Sequence, residues 1–195
     1  LLAALGVLAG CAHGGGLDVW DDVEFEGPEG TDFLALEPQP DAVDLQDGYG
    51  DRFGSYALED GVLRVRDGER HDLGFIQPAE GGEALELRES GGALLFRLER
   101  EPDGDLRLED GSGGVLAQIK RRDDGFKIVD AGDRERARVK ARRGKTSLRD
   151  PAGQTRLSTR DAIPAESIAC FAFEEIPLAF QGGCSLAVVH WNFGS

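Results

Sequence analysis

Gly114-Val115-Leu116-Ala117-Gln118-Ile119-Lys120-Arg121-Arg122, then Asp123-Asp124, then Gly125-Phe126-Lys127-Ile128-Val129-Asp130, is the stretch whose reading decides the fold. Apolar and polar residues alternate on either side of an Asp-Asp-Gly turn signal. Each arm therefore reads as a strand with one face for a core and one for water, and the two arms as a hairpin. The same texture recurs at 62–66, 85–88, 94–98, 106–109, 137–140, 146–149 and 155–158, with Glu59-Asp60-Gly61 and Asp103-Gly104 as further turns. Many short strands at hairpin spacing make an antiparallel closed barrel or, as the alternative, a β-sandwich; they do not make βαβ units. Asp110, Asp130 and Asp150 stand 20 residues apart, each followed closely by a glycine (Gly113, Gly132, Gly153). Asp bonds its own turn backbone and Gly supplies positive φ, so these aspartates read as turn formers. One Asp per turn does not assemble the several oxygen ligands a calcium ion needs.

The end of the chain has a different character. Ile163-Pro164-Ala165-Glu166 marks a helix entry, and residues 176–193 contain no Asp, Glu, Lys or Arg. Pro177, Gln181, Gly182, Gly183, Ser185, His190 and Asn192 dilute the run, so it reads as a segment buried within protein, most helical at 184–191, with a break at Gly182-Gly183.

The formal charge is −15, unevenly spread. Residues 17–61 hold 14 acidic side chains and one basic, a net of −13, whereas 118–149 hold 12 basic and 5 acidic, a net of +7. So acidic a protein is a poor general binder of nucleic acid. The basic stretch, with Lys120, Arg121, Arg122, Lys127, Arg142 and Arg143, is the candidate contact for an anionic lipid, an anionic envelope polymer or a partner protein. The other reading is an ordinary solvated strand face.

At the other end, an apolar run, 1–8, is followed by Ala9-Gly10-Cys11. A short apolar run closing on small residues reads as a secretory signal. Leu8-Ala9-Gly10-Cys11 resembles the lipobox of bacterial lipoproteins. That resemblance implies a diacylglycerol, with acyl chains such as palmitate, on the Cys11 thiol, and cleavage just before it. It places the protein on a membrane in the bacterial cell envelope, and Ala12 points to the periplasmic side of the outer membrane. No Met or basic residue precedes the run, so the signal reads as N-terminally incomplete. The expected organisation is signal 1–10, a lipidated acidic tether 11–48 rich in Pro and Gly, and one monomeric domain 49–195.

Short antiparallel strands followed by an apolar C-terminal helix, with the hairpin quoted above, resemble the tubby C-terminal-like fold and its LURP-one-related relatives. In that family a closed barrel of about twelve strands wraps a hydrophobic helix. The resemblance implies a lipid- or protein-binding scaffold without shared catalytic machinery, and no cofactor. The competing function is an envelope hydrolase whose site assembles only in three dimensions. His13, His71 and His190 are scattered without metal-ligand spacing. Gly182-Gly183-Cys184-Ser185 looks like a nucleophile turn, but no base shares a helical face with Cys184. Cys170 and Cys184 would lie about 20 Å apart on one helix. A hairpin would let them form a disulfide; otherwise they are two buried free thiols.

Overall fold

The computed structural model describes residues 21–193. The signal-like run, Cys11 and the first part of the tether lie outside the described residues. Fourteen antiparallel strands run in chain order: β1 Val23–Glu26, β2 Asp32–Gln39, β3 Ala42–Asp47, β4 Arg52–Glu59, β5 Val62–Asp67, β6 Asp72–Pro78, β7 Ala84–Glu89, β8 Leu94–Arg100, β9 Leu106–Asp110, β10 Val115–Arg122, β11 Gly125–Asp130, β12 Glu135–Arg142, β13 Lys145–Arg149 and β14 Thr155–Thr159. Each pairs with its sequence neighbours, and β1 also meets β14, so the sheet closes into an up-and-down barrel. The chain finishes with α1 Ala165–Ala169, a 3-10 turn Cys170–Ala172, and α2 Leu178–His190.

The alternation seen in the sequence sets the two faces. Leu63, Val65, Ile76, Leu85, Leu87, Leu98, Leu108 and Ile128 are fully buried. Between them, Arg64, Arg66, Glu86, Arg88, Arg97 and Arg107 sit in ion pairs on the outer surface. An apolar inside and a charged outside is the reverse of the pattern of membrane-spanning barrels. No helix among the described residues is long and apolar enough to cross a membrane.

Eight strands suffice for wall side chains to fill a barrel; fourteen leave a lumen that must hold something else. Here it holds the helices. α1 packs on β11–β13 and α2 on β4–β6. β12 and β5, the centres of those two walls, are seven steps apart around the ring in either direction. The two helices also pack on each other, so together they cross the lumen as a hairpin. Their Ile168, Cys170, Phe173, Ile176, Cys184, Leu186 and Val188 are at most 1 % exposed.

The two rims differ. At one rim the turns follow a single plan. The first turn residue donates its N–H to the carbonyl four residues on, and its own carbonyl accepts the N–H of the third. This holds at Asp47, Asp67, Glu89, Asp110, Asp130 and Asp150. It is the three-residue hairpin with a left-handed bulge residue. At Asp47, Asp67, Asp110 and Asp130 one carboxylate oxygen also accepts two N–H groups of the loop. The opposite rim mixes two-residue turns, such as Asp60-Gly61 and Arg143-Gly144, both with positive φ, with a three-residue turn at Glu101 and a longer one after Ala79.

Four expectations are corrected. Residues 23–47 are not tether but three barrel strands, with Val23, Phe25, Leu34, Leu36, Val43 and Leu45 buried in alternation; Pro and acidic residues on their outer face conceal that pattern in the sequence. The closed barrel replaces the sandwich alternative. The C-terminal segment is two helices, not one, turning at 173–177. Gly182-Gly183 is not a break but the middle of α2. A Cβ on Gly182 would run into Tyr56 Oη and lie 2.9 Å from Leu45 Cδ2; one on Gly183 would lie 3.0 Å from Ile76 Cδ1. Glycine there lets the helix backbone approach the wall, and Tyr56 Oη donates to Ala179 O at 2.7 Å across that contact.

Candidate functional site

The six basic residues singled out above fall on one arc of the barrel, but not as one equivalent set. Lys120 and Lys127 are directly paired across β10 and β11. Lys127 pairs in turn with Arg138 on β12, and Arg138 with Arg149 on β13. Four cations thus form one row across four neighbouring strands. Arg138 and Arg149 are absent from the sequence-based set, because only the register places them beside the lysines. Arg122 and Arg142 stand further along the outer surface, and Arg143 is in the β12–β13 turn with φ 52°. Arg121 departs from the row. It lies over the Phe126 ring, 5.7 Å from the centroid, and 3.4 Å from Glu166 at the rim opposite the Asp turns.

The strands on one side of this row are arranged otherwise. On β7–β9, Glu86 faces Arg97 and Arg97 faces Glu109, opposite charges across each strand pair. Like charges directly opposite are destabilising and opposite charges favourable, so the row on β10–β13 departs from the pattern of its neighbours. Carboxylates meet it only in part. Lys120 reaches Asp133 at 2.8 Å, Lys127 is 3.8 Å from Glu135, and Arg138 bonds Glu135 at 2.8 Å. Lys140 and Arg142 share Asp124 at 3.4 and 3.2 Å. Among the described residues no carboxylate forms an ion pair with Arg122, Arg143 or Arg149. The arginine beside Glu135 and the lysine beside Asp133 hold those carboxyls below their usual range, so both stay ionised at neutral pH. A polar hollow of about 430 Å³ between Arg122, Asp124, Lys127, Arg138 and Lys140 lies on this arc.

From β1 to β13, residues 115–149 carry 12 basic and 5 acidic side chains, a net of +7, whereas 21–114 carry 8 basic and 26 acidic, a net of −18. The barrel converts a difference along the chain into a difference between its sides.

The groups weighed for catalysis are differently placed. Cys184 is fully buried in α2, and its Sγ lies 3.1 Å from that of Cys170, with both thiols free. Burial, with Cys184 beside it, pushes the Cys170 thiol well above its ordinary range, the opposite of an activated nucleophile. His190 is at the end of α2 against the Trp191 ring, and burial lowers its pKa. His71 is an exposed turn residue bonded to Asp67 at 3.1 Å. Glu166 is raised by burial, with Arg121 and Arg100 opposing that shift. No group of three or more His, Cys, Asp or Glu among the described residues is placed to hold a metal ion.

Comparison with known proteins supplies no family: no family model matches the chain, and no curated protein matches it either.

Proposed function

We propose that the chain is a non-catalytic, lipid-anchored binding module of the bacterial cell envelope that presents the outer face of β10–β13 to an anionic lipid surface. The observation that carries this is the row Lys120, Lys127, Arg138 and Arg149, four cations in register on a protein whose net charge is −15. A side-to-side charge difference of this kind orients a protein as it approaches an anionic surface. Each cation near such a surface contributes about 1 kcal/mol. Leu8-Ala9-Gly10-Cys11, read as a lipobox, supplies the anchor that would keep the barrel beside the bilayer. The tubby-like reading belongs to the same proposal. A closed barrel holding its C-terminal helices supports it; fourteen strands and a two-helix filling depart from the family's plan.

The test is co-sedimentation of the full chain carrying Cys11→Ser, which removes the anchor, with vesicles containing phosphatidylglycerol or phosphatidylcholine alone. Capture by the anionic vesicles should weaken as salt rises. Replacing Lys120, Lys127, Arg138 and Arg149 with Gln should weaken it at least tenfold, while Gln at Arg88, Arg97 and Arg107 should leave it within twofold. Equal loss from both sets would reject the proposal. Capture by a soluble polyanion but not by vesicles would transfer the face to an envelope polymer. The anchor is tested separately, by the mass of Cys11 and the membrane fraction of the wild type against Cys11→Ser.

A further inference from the structure

The three exposed large apolar side chains among the described residues gather at one place. Phe33 is 50 %, Tyr49 95 % and Phe53 38 % accessible. All three line a cavity of about 330 Å³ at the rim of the Asp turns, whose inner wall includes Leu157 of β14 and Phe171 and Leu178 of the helical hairpin. Single exposed apolar residues are ordinary on a protein surface; a convergent group around a concavity marks a binding site.

The opening follows from how the barrel closes. β1 has four residues, and it meets β14 at a single register pair, Glu26 with Ser158. Nearer the Asp-turn rim, Arg156 and Leu157 have no register partner on β1. The wall is therefore notched between β14 and β2, and the side of the hairpin lines the notch.

Charge decides the chemistry of the occupant. The lining holds one anion and one cation, Asp47 and Arg156. The Asp47 carboxylate accepts the N–H groups of Tyr49 and Asp51, and Arg156 bonds Glu174 at 3.2 Å. Each is thus engaged within the protein. The surrounding segment, 21–61, has 13 acidic side chains and one basic, which disfavours an anionic ligand. The volume is at the low end of small-molecule sites.

We propose that this notch admits a small, uncharged apolar molecule, built on an aromatic ring or a short alkyl body, which lies against Leu157 and Phe171 beneath Phe33, Tyr49 and Phe53. The basic row on the outer face takes no part in it, so either proposal stands if the other falls. The experiment is fluorescence titration of the full chain with N-phenyl-1-naphthylamine, an uncharged apolar dye, beside its anionic analogue 1-anilinonaphthalene-8-sulfonate. Saturable 1:1 binding of the uncharged dye is expected, at least tenfold tighter than that of the anion. The double substitution Phe33→Ser with Phe53→Ser should weaken it at least tenfold, and Tyr49→Ser at least threefold. These side chains are exposed, so thermal melting should stay within a few degrees of wild type. Absence of saturable binding, an affinity unchanged in both variants, or equal affinity for the two dyes would overturn the proposal. So would concentration-dependent dimerisation that the double substitution abolishes, which would give the notch to a second copy of the chain.

Discussion

Tyr56, Gly182 and Gly183 show how single residues set the spacing between filling and wall. Gly182→Ala forces a methyl group against Tyr56 and Leu45, and overpacking of this kind costs about 1–3 kcal/mol. Tyr56→Phe keeps the ring and removes the hydroxyl that Ala179 O accepts, at a cost of about 1 kcal/mol. Urea unfolding should therefore rank wild type above Tyr56→Phe, and Tyr56→Phe above Gly182→Ala. The turn aspartates act at the same scale. The N–H of His71 bonding Asp67, the Ser112 hydroxyl bonding Asp110 and the N–H of Arg134 bonding Asp130 each hold a carboxyl below its ordinary value of 3.8. A carboxyl lowered by folding stabilises the fold above its unfolded pKa and loses that contribution as pH falls through the folded one. Urea midpoints should be flat from neutrality to about pH 5 and drop below about pH 4. A midpoint already falling at pH 6 would assign the acid response to other groups.

Among the elements, the 20-residue period resolves into one structural unit: strand, Asp turn, strand, two-residue turn. Asp110, Asp130 and Asp150 display the period openly. Asp47 and Asp67 have the same turn but escape notice, because Glu89 stands at the intervening position and shifts the spacing. β4 and β6 escape for another reason. Gly54 and Ser55 in β4 and Gly74 and Pro78 in β6 interrupt the alternation. In β4 small residues are required because α2 leans on it: a Cβ on Gly54 would lie 2.6 Å from Tyr56 Oη and 3.3 Å from Ala179 Cα. The helical hairpin brings Cys170 and Cys184 together by turning at 173–177, a bend for which Pro177 is the only local signal. Two buried thiols should resist alkylation in the native protein and react in denaturant. With Sγ atoms 3.1 Å apart, a thiol oxidant should also join them, with loss of both thiols and a higher melting temperature. Closing a loop of this size contributes about 3 kcal/mol. Native-state alkylation of either cysteine at the rate of a free thiol would contradict the packing.

For the whole molecule, closure is the event on which the rest depends. A chain beginning at Tyr49 lacks β1–β3, so β4 and β14 become open edges and the helical hairpin loses part of its enclosure. That chain should aggregate or melt without cooperativity, whereas one beginning at Asp21 should melt cooperatively. If the shorter chain folded as well as the longer, β1–β3 would be dispensable and the tether reading would stand. The β1–β14 seam is the least extensively paired, and side chains reinforce it: Lys145 bonds Glu26 at 3.0 Å and Asp161 accepts the Glu24 N–H at 2.8 Å. The Lys145 contact holds the Glu26 carboxyl low, so acid should weaken this seam as it weakens the turns.

By itself the sequence determined the strand-forming pattern from Val62 onward apart from β6, the turn chemistry and the burial of the uncharged tail. Each of these is written in neighbouring residues, through the two-residue period of a strand, the hydrogen bonds of an Asp turn and the absence of charge. Tertiary structure alone decided that β1 closes on β14, that the tail folds back across the lumen, that four cations come into register, and that three aromatic residues surround one notch. Those outcomes depend on pairings between residues up to 137 positions apart, as between Glu24 and Asp161, and no local period records which distant strand a given strand will meet.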